Sequence, residues 1–364
     1  MVDINNVIKM AKMKEASDIH LICGLKPTLR VERQLVQLAD MDLLEEEDMY
    51  EIYDYFIMGN IDKDTEFKSS RKLDMLYEHE DICLRVNISY TNEIPTFTLK
   101  IVKNMLPTAE ELGIPEVAKN AVCNTQGLIL VTGKANSGKT TTLNFLVNEI
   151  NKSQNKKIVI LEDLIEYRHI SNKSVIVQKE IGKGRDCLNY AEAIKNSMKE
   201  DCDVLVIGDI QNKETMNAAI EIADSGYLVI GALNTKTCAE TVERIINFYE
   251  KEEQVNIKYL IASLLKLVIS QRLLKNKEEK LILVPEVMVL DNTIANIIKK
   301  EKFDLAQLDD VLSTSSEKGN IGLINSIAKL FVEDKITLEQ AKNQIDERNI
   351  EILNRTIMQL KIKK

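Results

Sequence analysis

From Gly127 onward the chain alternates short apolar runs with stretches of helical spacing. Leu128 to Thr132, Lys157 to Leu161, Val204 to Ile207 and Leu228 to Leu233 are rich in Val, Ile and Leu with little polar alternation, as strands buried on both faces require. Between them, Thr140 to Ile150, Tyr190 to Glu200 and Glu214 to Ala223 space their apolar residues as helices do. This rhythm predicts a doubly wound or related α/β core. The residues before it are mixed, with a helix-like start at Ile4 to Lys14 and β-type runs at Ile19 to Ile22, Ile82 to Ser89 and Phe97 to Val102. They predict a small α+β domain. Asn104 to Pro115 carries two of the chain's five prolines and suits a linker or hinge. Beyond Leu290 no strand pattern remains, and Thr337 with Gln340 fits a capping box in a helical tail.

Composition narrows the class. With 364 residues, of which 45% are hydrophobic, the chain can bury real cores in two domains. Its 48 Lys and Arg are interleaved with 57 Asp and Glu for a net charge of −9, without the basic stripe of a nucleic-acid binder. No nucleic-acid partner is expected. Six scattered cysteines form no CxxC pair and read as reduced thiols, and no leader-like segment opens the sequence, so the expected location is cytoplasmic. The longest apolar stretch, Tyr259 to Leu274, is interrupted by Lys266, Ser270, Gln271 and Arg272 and is too short for a bilayer. Membrane association is therefore expected only through a partner.

Candidate chemistry begins at Gly133. The run Gly133 to Thr140 satisfies G-x-x-x-x-G-K-[ST] between an apolar strand and a helix, the context this phosphate-binding motif needs. Its glycines let successive N–H groups face the phosphates, and the helix N-terminus adds a positive dipole end. Lys139 is expected to reach the β- and γ-phosphates of ATP, with the Thr140 hydroxyl in the Mg²⁺ shell. Gly133, Asn136, Ser137, Gly138 and Thr141 complete the expected nucleotide contacts. Two carboxylate clusters end apolar runs: Glu162 and Asp163 with Glu166 nearby, and Asp209 after Val204 to Gly208. Phosphoryl transfer needs one carboxylate to hold Mg²⁺ and another to position the attacking water. Glu162 and Asp209 are the candidates, Asp209 also for the metal. His20 and His169 are expected to be structural. Gln271 is expected either to touch the switch region of the nucleotide domain or to end a helix.

These motifs occur in an order that resembles a family. Ala16 to Leu21, Leu84 to Asn87, the phosphate loop with Thr141 and Thr142 behind it, Leu161 to Glu166, Asp201 to Asp209 and Ile269 to Gln271 together are similar to the PilT-like retraction ATPases of type IV pili, within the secretion ATPase superfamily. The resemblance implies a PAS-like domain over 1–103, a linker over 104–115, a RecA-like ATPase domain over 116–290 and a helical subdomain over 291–364. It further implies a homo-hexamer with nucleotide between domains, docking beneath the inner-membrane platform protein, and Arg85 as a contributor from the N-terminal domain. The extra N-terminal domains and four-cysteine motif of extension ATPases are not found, which favours the retraction branch.

The departures are specific. Where the family has Gly-Glu-(Ile/Met)-Arg-Asp, this chain has Gly208 to Asn212 with Asp209 in place of Glu; the two histidines of the His box are Tyr227 and Asn234. Two arginines expected after Arg85 are missing from Ile88 to Glu93, and a third corresponds to Lys100. The tail signature is partly kept at Thr293 to Lys300. Two expectations follow: an ATP-driven retraction motor, or a nucleotide-binding, weakly hydrolysing paralogue that co-assembles with a second pilus ATPase.

Overall fold

The computed structural model describes residues 3–31, 34–79, 82–102, 106–123, 126–182, 185–315 and 318–362. It divides into two compact units, Met1–Met105 with Glu166–Arg168, and Leu106–Ile165 with His169–Lys364. The last residue of the expected N-terminal domain, 103, and the first two of the expected linker, 104–105, lie outside the described residues.

The first unit is an antiparallel sheet with helices. Its strands are β1 (Asp18–Leu21), β2 (Thr28–Val31), β3 (Gln34–Gln37), β4 (Lys72–His79), β5 (Ile82–Thr91) and β6 (Ile94–Val102), in the order β3-β2-β1-β6-β5-β4. Helix Ile4–Met13 forms because Ile4, Val7, Ile8 and Ala11 share one buried face and Asp3 caps the amides of Asn5 and Asn6. Its apolar face joins one core with Ile19, Leu21, Leu84, Val86, Phe97 and Leu99.

The second unit is built on a seven-stranded sheet. Its strands are β7 (Gly127–Thr132), β8 (Lys157–Glu162), β9 (Val175–Glu180), β10 (Val204–Ile207), β11 (Leu228–Leu233), β12 (Leu265–Lys275) and β13 (Leu281–Val289), in the order β13-β12-β7-β11-β10-β8-β9. All pairs are parallel except β12 with β13. The four central runs carry no alternation because both faces are covered, and alternate residues feed separate cores. Leu128, Leu130, Leu205 and Val229 lie in one. Ile129, Val131, Val206 and Ile230 lie in the other. The tail is helical at Asn292–Ile298, Leu305–Thr314, Leu323–Val332, Leu338–Lys342 and Ile350–Ile362, with a small core around Ile327, Ile336 and Leu353. Thr337 and Gln340 make both bonds of the capping box.

This parallel-sheet unit, the smaller sheet-rich unit and the helical tail are the α/β fold class expected. One placement is corrected: Gln271 does not end a helix but lies within β12, because Leu265 leaves helical geometry and the chain pairs with β7 instead.

Candidate functional site

Four strand ends meet at the site, joined main chain to main chain by three hydrogen bonds. The Gly133 amide donates to Leu233 O at 3.3 Å, Gly208 to Leu161 O at 2.7 Å and Ile210 to Ala232 O at 2.8 Å. The ends of β7, β8, β10 and β11 are thereby held in fixed relation before any functional side chain is considered.

The phosphate loop leaves β7 at Gly133, and helix Lys139–Ser153 begins as it closes. Gly138 caps that helix in the left-handed region at φ 88°, and Asn136 also has positive φ at 62°. Glycine is required at 133 for space: a Cβ there would come within 2.2 Å of Ser137 Oγ and 2.6 Å of Gln271 O. Lys139 Nζ folds back to donate to Gly133 O at 3.0 Å, Lys134 O at 3.2 Å and Asn234 Oδ1 at 2.8 Å. Burial lowers its pKa, and the Asp209 carboxylate opposes that shift.

Asn234 and Asp209 are brought together with Lys139. Asn234 Nδ2 straddles the Asp209 carboxylate at 3.4 and 3.5 Å, and Gln211 Nε2 donates to Asp209 Oδ2 at 2.8 Å. Thus Asn234 bridges ammonium and carboxylate. Glu162 is buried at the end of β8, where Asn144 Nδ2 approaches Oε1 at 3.5 Å and donates to Thr140 O at 2.9 Å. Asn144 Oδ1 in turn sits 2.6 Å from His169 Nε2. Burial pushes His169 down to about 4, so it is neutral near pH 7 and Nε2–H is the donor. His169 therefore braces the Asn144 amide between Glu162 and Thr140, a supporting arrangement. Thr140 and Thr141 lie in the first turn of the helix, half-buried. Arg85 belongs to the other unit: it stands on β5 opposite Leu76 and Lys100 and pairs with Asp74 at 3.8 Å.

The oxygens of Thr140, Asp209 and Glu162 are hard donors of the kind Mg²⁺ takes, and the glycine-lined cradle beside a lysine suits phosphate. Asn144 escaped the sequence reading because nothing local marks an asparagine inside a helix as a brace.

The family described as type II/IV secretion system protein matches residues 1–299. The chain belongs to this family. Within the secretion ATPases it is PilT-like, being similar to the type IV pilus retractation ATPase PilT of Pseudomonas aeruginosa, with 30% identity over 343 residues covering 94% of this chain and 98% of that one. It is also similar to the type IV pilus ATPase PilU of the same organism, at 24% identity over 95% of this chain and 90% of that one. A crystal structure of the pilus retraction motor PilT with bound ADP shares its fold, with a TM-score of 0.88 and 28% identity over 97% of this chain and all of that one. The resemblance drawn from the ordered motifs therefore holds over nearly the whole length. Among the described residues no helix is long and apolar enough to cross a membrane.

Proposed function

We propose that this PilT-like chain binds and hydrolyses ATP with Mg²⁺ as a retraction-type motor of the type IV pilus machinery. The observation that carries the reading is the phosphate loop, with Lys139 folded across its mouth onto Gly133 O and Lys134 O and linked through Asn234 to Asp209. Such an ammonium is ready to exchange the Asn234 contact for phosphate oxygens. Gly133, Asn136, Ser137, Gly138 and Thr141 would line the phosphates, and Thr140 and Asp209 would hold Mg²⁺, which neutralises charge on the transferring group. Glu162 would orient the attacking water, and Arg85 would contribute from the domain spanning 1–103. On this reading the nucleotide domain spans 116–290, the linker 104–115 serves as hinge, and the helical subdomain spans 291–364. The working form would be a homo-hexamer in the cytoplasm, held at the membrane by the pilus platform protein.

A second reading has its own support. The altered Asp209, Asn234 and Lys100 and the similarity to PilU favour a nucleotide-binding subunit with little turnover that co-assembles with a second pilus ATPase. Steady-state phosphate release separates them. The motor reading expects turnover well above a Lys139→Ala control; turnover equal to that control, with ADP still bound by the parent, defeats it in favour of the second. Calorimetry finding no ADP or ATP uptake in magnesium would defeat both.

A further inference from the structure

The geometry points to Gln271 as a positioning residue that sets the phosphate loop from outside it, an inference resting on the nucleotide-binding reading above. Gln271 lies on β12, beside the loop-bearing β7, and is 1% exposed. It touches the loop at both glycines. Its main-chain oxygen backs Gly133, where a Cβ would approach to 2.6 Å, and its side-chain nitrogen lies 3.3 Å from where a Cβ of Gly138 would stand.

Between these points Gln271 Nε2 donates to Ser137 O at 2.8 Å, a bond spanning 134 residues of sequence. In a trans peptide the carbonyl oxygen and the following N–H point in opposite directions. Anchoring Ser137 O against β12 therefore turns the Gly138 N–H away from β12. That N–H belongs to the residue capping the helix, where orphan amides form the anion-binding end. The loop peptide is thus oriented by a side chain that is not part of the motif. Both partners also retain a buried polar atom without a hydrogen bond, Gln271 Oε1 and Ser137 Oγ, so the pair has unused capacity when the loop adjusts.

The test is calorimetric titration of the full chain with ADP and magnesium, comparing the parent with Q271M and Q271E. Q271M keeps the side chain's length without its donor, and its ADP affinity is expected to fall about tenfold, as for one buried hydrogen bond lost. Q271E sets a carboxylate against the Ser137 carbonyl, which repels when ionised and regains an O–H donor when protonated. A carboxyl so buried titrates well above its ordinary range, so its deficit relative to the parent should shrink between about pH 8 and pH 6. General loosening of the fold would give no such recovery. Equal ADP affinity in Q271M and the parent overturns the positioning role and leaves the nucleotide reading intact. No binding by the parent overturns both. Should Q271M fail to fold, the pH series on Q271E decides, and a deficit that does not shrink overturns the proposal.

Discussion

Lengthening Asp209 by one methylene tests what limits turnover. The backbone on either side of this residue is tied to neighbouring strands. Gly208 is bonded to Leu161 O at 2.7 Å, and a Cβ on it would already stand 3.0 Å from that oxygen. Ile210 is bonded to Ala232 O at 2.8 Å. The reach of the carboxylate is therefore set by the side chain, and Asp209→Glu extends it by about 1.5 Å, one C–C bond. A misplacement of about 1 Å costs on the order of a hundredfold in rate, near 2.7 kcal/mol of barrier, so D209E is expected to raise kcat by up to that factor. KM should change little, because the gain is confined to the transition state. The assay is phosphate release at saturating ATP, with Lys139→Ala as blank. Unchanged or reduced kcat in a D209E protein that still binds ADP would show that carboxylate reach is not limiting.

Lys139→Met should separate stability from binding. Burial already disfavours its ammonium, so nucleotide-free K139M should melt close to the parent, within about 1 kcal/mol, the net worth of a typical hydrogen bond. Nucleotide at a hundred times Kd stabilises by about 2.7 kcal/mol, some 5 to 10 °C for a unit of this size, and K139M should lose most of that shift in scanning fluorimetry. Equal shifts would remove Lys139 from the site. Glu286→Gln addresses pH: burial pushes the Glu286 carboxyl up to about 8, against the opposing Cys238 N–H at 3.1 Å. The folded protein then holds a proton that the unfolded chain loses near pH 4.3, so this group's contribution falls as pH rises through that window to about 8. E286Q has no proton to lose and keeps the acceptor; its melting temperature should vary less between pH 6 and pH 8, and a slope identical to the parent's would refute the assignment. Asp309, pushed up to about 6 by burial, leaves a smaller slope of the same sign below that pH in both proteins.

The core strands were legible because strands covered on both faces need no polar alternation, and β7, β8, β10 and β11 have none. The sequence reading missed β2, β3 and β4 in the first unit and three strands of the second, and the latter three have physical reasons. β9 is an edge strand with mixed exposure, so its apolar signal is diluted. β12 follows helix Lys251–Leu264 with no Gly or Pro between them, and only pairing with β7 and β13 makes it a strand. β13 contains Pro285, tolerated because β13 lies at the sheet's other edge. The same contrast governs the site. The phosphate loop is local in sequence and was visible; the residues that hold it, Asn234 and Gln271, arrive from 95 and 134 residues away.

The site separates into a frame and its fittings. The frame is main chain: Gly133 to Leu233, Gly208 to Leu161 and Ile210 to Ala232 are backbone bonds that use no atom of the Asp209, Gln211 or Asn234 side chains. The fittings are Asp209, Gln211 and Asn234, which bond to one another and to Lys139 rather than to the frame. Exchanging a fitting leaves strand ends, loop curvature and the Lys139 tether to Gly133 O and Lys134 O in place, so the capacity to hold a nucleotide is insulated from changes at these positions. On the proposed reading turnover has no such insulation, since it would depend on where the Asp209 carboxylate and its partners end. On the proposed reading a motor and a weakly hydrolysing partner can therefore share this fold throughout, and the D209E measurement says whether side-chain reach at Asp209 separates them.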